Sequence, residues 1–123
     1  MLCVLQIMGT ALESGIAGHL AARFYRKDVA DDGCELLFYD VADAPRGLEL
    51  SVQIKQFIDQ NRGGLTYARQ CPNEVKLMTL DIGILMDAPL SRTVAFDKEL
   101  VATLGELGIS ISISAYQSKD QQP

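Results

Sequence analysis

The positions of apolar residues divide the chain into short runs of two kinds. Leu2-Cys3-Val4-Leu5-Gln6-Ile7-Met8 is an apolar run closed by Gly9, and its Val, Leu and Ile content predicts a first strand. Leu12, Ile16, Leu20 and Phe24 then recur every four residues, beside Ala17 and Ala21, which predicts one apolar helix face. Thr10 and Glu13 stand at capping-box spacing ahead of it, where hydroxyl and carboxylate each satisfy an orphan backbone donor. Gly15 and Gly18 weaken this helix by about 1 kcal/mol each relative to alanine, or serve close approach to a sheet. Tyr25 to Gly33 is polar and charged and reads as an exposed connection.

A second strand is expected over Cys34–Val41, with the imperfect alternation of a strand buried on both sides. Asp43, Pro45 and Gly47 lead into a second helix marked by Leu50, Ile54, Phe57 and Ile58 and stopped at Asn61-Arg62-Gly63-Gly64. A short helical piece over Leu65–Gln70 follows, ended by Pro72. Val75–Met86 has apolar residues at Met78, Leu80, Ile82, Ile84 and Met86, a period-two strand with Gly83 as a candidate bulge. After a loop over Asp87–Thr93, Asp97 caps a third helix with Leu100, Val101, Leu104 and Leu107 on its apolar face and Gly108 at its end. Ile109-Ser110-Ile111-Ser112-Ile113-Ser114-Ala115-Tyr116 is the cleanest alternation in the chain. It predicts a strand with isoleucines toward helices and serines with Tyr116 on a wet or partner-covered side. Gln117–Pro123 reads as a frayed polar tail.

The expected order is β-α-β-α-β-α-β in one α+β domain over residues 1–123. Four strands make a small sheet for helices on both faces. We therefore expect a two-layer sandwich, with helices on one face of a four-stranded, mostly antiparallel sheet and ferredoxin-like topology as the nearest relative, over a doubly wound parallel sheet.

Composition narrows function mainly by exclusion. The 123 residues are 48% hydrophobic and 22% charged, the balance of an ordinary globular domain, which excludes disorder. A net charge of −5 disfavours nucleic acid and anionic membrane surfaces and leaves a protein partner or self-association open. No apolar run reaches the roughly 18 residues of a membrane span, and the N-terminal run has no basic flank, so a cytoplasmic protein is expected. Cys3, Cys34 and Cys71 are odd in number and far apart, unlike a disulfide framework or a metal site, and read as small buried hydrophobes in a reducing compartment.

Recognisable chemistry is sparse. His19 is the one histidine, with no nucleophile or carboxylate at an informative spacing, and reads as a helix-edge residue. Asp28, Asp31, Asp32 and Gly33 lack the order of a calcium loop and its closing Glu. Gly9, Gly15 and Gly18 do not spell a dinucleotide fingerprint, and Gly63-Gly64 follows a helix instead of opening one. No cofactor, metal or catalytic residue is assigned. Asp81 is unusual as a mid-strand carboxylate, either hydrated on the open face or a polar anchor there beside Ser112, Ser114 and Tyr116. Arg26, in the cluster Arg23-x-Tyr25-Arg26-Lys27, and Tyr39 complete the candidate contact residues; the cluster equally suits a helix C-terminus.

Leu80-Asp81-x-Gly83, Phe96-x-x-Glu99-Leu100, Gly105-Glu106-Leu107-Gly108-Ile109 and Ser114-x-Tyr116 together resemble the C-terminal half of a family of small bacterial proteins known as a domain of unknown function. The chain departs from that pattern at Asp97, where the family has proline. The resemblance implies a compact bacterial cytoplasmic α+β domain and transfers no catalytic residue. The expectation is a non-enzymatic binding or protein-interaction module, for example a toxin-neutralising immunity protein or a homodimer. The alternative is an enzyme or small-ligand binder with a pocket on the open sheet face.

Overall fold

The computed structural model describes residues 1–86 and 93–117. Residues 87–92 of the expected Asp87–Thr93 loop and 118–123 of the expected Gln117–Pro123 tail lie outside the described residues, while Gln117 itself closes the last strand. Five strands form one mixed sheet: β1 (Leu2–Gly9), β2 (Arg26–Val29), β3 (Glu35–Asp43), β4 (Val75–Met86) and β5 (Ile109–Gln117). Two α-helices, α1 (Gly47–Arg69) and α2 (Lys98–Glu106), and one 3-10 turn at Ile16–His19 complete the fold. The spatial order is β2-β3-β1-β4-β5. β1 runs antiparallel to both β3 and β4, β2 antiparallel to β3, and β5 parallel to β4.

This corrects the expected four-stranded, mostly antiparallel sheet with β-α-β-α-β-α-β order. The chain is α+β, but its sheet is mixed, with a fifth strand and one helix fewer. The first expected helix is absent. Leu12, Ile16 and Leu20 are buried as their spacing foretold, yet they reach the core from a coiled segment with a single 3-10 turn. Ala11 takes a positive φ of 54°, outside any right-handed helix. The expected capping box is replaced: Glu35 of β3 accepts from the amides of Leu12 and Glu13 at 2.6 and 3.2 Å, while Glu13 pairs with Lys27. The supposed connection after Tyr25 is β2. A tight turn with Gly33 at φ 84° and the Asp32 carboxylate accepting from the Cys34 amide joins it to β3.

The second expected helix does not stop at Gly63-Gly64. α1 runs through both to Arg69, and Gly64 serves a close approach instead of ending the helix. A Cβ on Gly64 would lie 2.3 Å from the His19 carbonyl oxygen, whereas nothing lies within 4 Å of one on Gly63. Buried Asn61 secures the same junction, accepting from the Ala22 amide at 2.8 Å and donating to the Phe57 carbonyl. This 23-residue helix makes the crossover from β3 to β4, which run parallel to each other on either side of β1.

α2 begins as expected. The Asp97 carboxylate accepts from the Leu100 amide at 2.8 Å, and Gly108 takes φ 70° after its end. Hydrogen bonds from Lys55 and from that amide hold the Asp97 carboxyl below the usual range, tying α2 to α1. Leu100, Leu104 and Leu107 are buried, but Val101, expected on the apolar face, is half exposed.

One face of the sheet carries Cys3, Leu5, Ile7, Leu37, Tyr39, Met78, Leu80, Ile82 and Ile84 into a single core with the helices. The other face is open. Gly83 makes no bulge; the shift in the β1–β4 register falls between Met8 and Gly9.

The two adjacent glycines give a paired test by chemical denaturation. Gly63→Ala should stabilise the protein by about 0.5–1 kcal/mol through helix propensity. Gly64→Ala should destabilise it by about 1–3 kcal/mol, because the methyl group must displace backbone.

Candidate functional site

The sheet pairings decide which candidate residues share a surface. Asp81 and Ser112 are register partners, as are Gly83 and Ser114, and Leu85 and Tyr116. All project from the open face, opposite to the buried even-numbered residues of β4. Gln6 of β1 donates to the Asp81 carboxylate at 3.3 Å, so that carboxylate has a cross-strand partner. The Tyr116 ring lies over Gly83, with Cε2 3.6 Å from where a Cβ would stand. Asp81, Ser112, Ser114 and Tyr116 thus form one surface over β4 and β5.

Tyr39 and Arg26 do not join them. Tyr39 points the other way, into the core, fully buried against the edge of Phe24. Its hydroxyl has no hydrogen-bond partner among the described residues, and burial pushes its pKa up to about 12. Arg26 is on β2, at the far edge of the sheet. It is held by Asp28 at 3.0 Å and lies over the Phe38 ring at 4.9 Å. Lys27 pairs with Glu13. Two of the three cations in the expected basic cluster are therefore already engaged.

The described clefts lie elsewhere. One of about 470 Å³ follows the Ala17–Phe24 segment, one of about 210 Å³ lies beside Met8, Asp28, Val29 and Leu36 at the β2 end of the sheet, one of about 190 Å³ lies between α1 and α2 beside Lys55, Arg62 and Glu99, and one of about 70 Å³ lies beside Arg69, Pro72 and Lys76. None of these is lined by Asp81, Tyr116 or Tyr39. His19 is stacked on Tyr67 at 4.0 Å between ring centres. The neighbouring Cys71, then desolvation and last Glu74, raise the Tyr67 pKa. Among the described residues no three His, Cys, Asp or Glu side chains are grouped to hold a metal ion, and no helix is long and apolar enough to cross a membrane.

The feature the sequence reading missed is at β5. Only Ile109 is covered on the helix side; Ile111 is 37% and Ile113 52% exposed. The expected isoleucine face buried against helices is corrected accordingly. α2 has nine residues and spans about 13 Å, while nine residues of β5 span about 30 Å, so the helix runs out before the strand does. Among the described residues β5 also has no neighbour on its outer side. Strand length against helix length was the available signal.

Two side chains test these placements. Tyr39→Phe removes a buried hydroxyl without a partner and should raise stability by about 1 kcal/mol in denaturant melts. Burial, reinforced by the charge of Asp81, pushes the Cys3 thiol up to about 12. At pH 8 iodoacetamide should alkylate Cys34 and Cys71 in the native protein and Cys3 only after unfolding, as read by peptide mass.

No family model, curated protein or solved structure matches this chain.

Proposed function

We propose that this chain is a non-enzymatic protein-interaction module that docks an extended polypeptide strand along the outer edge of β5. One observation carries the reading: β5 is a nine-residue edge strand without a charged residue, and Ile111 and Ile113 are exposed on it. Natural sheets usually blunt such edges with charges, proline, bulges or short length. The opposite edge is blunted in this way, since β2 is four residues long and three of them, Arg26, Lys27 and Asp28, are charged. β5 has none of these devices. Strand addition uses the free backbone donors and acceptors for affinity and alternate side chains for specificity. Here it would give Ile111 and Ile113 a cover on one face, while Ser110, Ser112, Ser114 and Tyr116 meet the partner on the other. Asp81 then lies one strand inward, within the surface the partner borders.

The ligand-pocket alternative receives no comparable support, because its residues are distributed over two faces and two edges of the sheet. The docking reading is tested by placing a photocrosslinking amino acid at position 113, and at position 29 on β2 as control, in the native host. Position 113 should give covalent adducts whose polypeptide partner is identified by mass, and position 29 should give few. Absence of adducts at 113, or equal yield at both edges, would contradict docking at β5.

A further inference from the structure

We infer that the strand occupying the β5 edge is β5 of a second copy of this chain, paired antiparallel across a two-fold axis to make one ten-stranded sheet. The inference rests on the strand-docking reading above and names its occupant.

The alternation of β5 is self-complementary. In an antiparallel pair, residues directly opposite share a face. With Ser112 on the axis, Ile111 of one copy meets Ile113 of the other, Ile109 meets Ala115, and Ser110 meets Ser114. The two isoleucines that each copy leaves exposed become a four-residue cluster between the two α2 helices. The serines form a hydroxyl ladder on the opposite face. The matched pairing covers residues 109–115, and beyond it Tyr116 falls opposite Gly108.

Charge permits the same occupant. Each copy carries a net −5, which opposes self-association in general, and an uncharged seam is where two copies meet at least cost. Residues 109–117 contain no Asp, Glu, Lys or Arg, so like charges are never placed opposite one another. A foreign basic partner would find no carboxylate on this strand to read.

Closure agrees as well. The register pairs residues 109–115 of each copy, a seam about 23 Å long, and with α2 beside only part of it the contact is at the small end of specific interfaces, which suits a dimer that forms at high protein concentration. A two-fold contact uses the same edge in both copies and leaves the two charged β2 edges at the ends, where addition stops.

Light scattering on the purified full chain at about 100 μM should give twice the 13.4 kDa chain mass. Ile111→Lys and Ile113→Lys should each weaken association by ~100-fold or more with an unchanged far-ultraviolet circular dichroism spectrum. Val29→Lys on the other edge should leave the dimer intact. Ser112→Cys, which changes no core contact, should form a reducible covalent dimer on oxidation that the wild type with its three native cysteines does not form. It reads the register even if the lysine variants misfold.

A monomeric wild type whose position 113 still crosslinks to another polypeptide would overturn self-pairing and leave strand docking standing. A monomer without adducts would remove both. Dimers that survive Ile113→Lys, or assemblies larger than two, would overturn this symmetric seam.

Discussion

Backbone N–H and C=O groups need partners, and in an open sheet the two outermost strands each have one side unserved. Much of this molecule follows from how the five strands share that burden. β1 has β3 and β4 on its two sides, both antiparallel, and so is hydrogen-bonded along both edges. β3 is covered by β2, which carries three charged residues in four and ends the sheet in a form that resists further pairing. β5 ends it with nine uncharged residues in regular alternation. The two edges of one sheet are therefore chemically unlike, and the proposed function is a consequence of that difference.

The helix layer sharpens the contrast. α1 is long and locked in place: Gly64 admits the His19 carbonyl, Asn61 holds the Ala22 amide, and the Ser51 hydroxyl donates to the Ala95 carbonyl at 2.6 Å. It roofs the middle of the sheet with Leu50, Ile54, Phe57 and Leu65. α2 is short, and on the strand that follows it Ile109 is buried while Ile111 and Ile113 are not. The core is complete over the central strands and incomplete at one margin. A margin of this kind costs little within one chain and becomes favourable when another strand covers it.

The sequence announced elements whose signal is local and periodic. β4 has the limits its alternation implied, and α2 starts at Asp97 because the cap is a property of that side chain and three following amides. It concealed elements decided by contacts distant in the chain. Leu12, Ile16 and Leu20 have helical spacing, yet Ala11 turns the chain aside at positive φ, and Glu35 of a distant strand takes the amides of Leu12 and Glu13 in place of the expected Thr10 cap. β2 has no apolar alternation, and its order comes from pairing with β3. Gly63-Gly64 carries one composition and two possible uses, and only the position of His19 selects between them. The candidate site divides the same way. Period two placed Asp81, Ser112, Ser114 and Tyr116 together, but in Leu36-Leu37-Phe38-Tyr39 both parities are apolar, so the inward direction of Tyr39 was not legible.

β5 is a strand missing a neighbour, and in the proposed dimer a second β5 supplies it. Amide hydrogen exchange, resolved by residue and followed against protein concentration, tests it most directly. Alternate amides of residues 109–117, those not directed at β4, should gain protection as concentration rises, while those of β2 should not change. Rapid exchange of these β5 amides at every concentration, or protection independent of concentration, would contradict it.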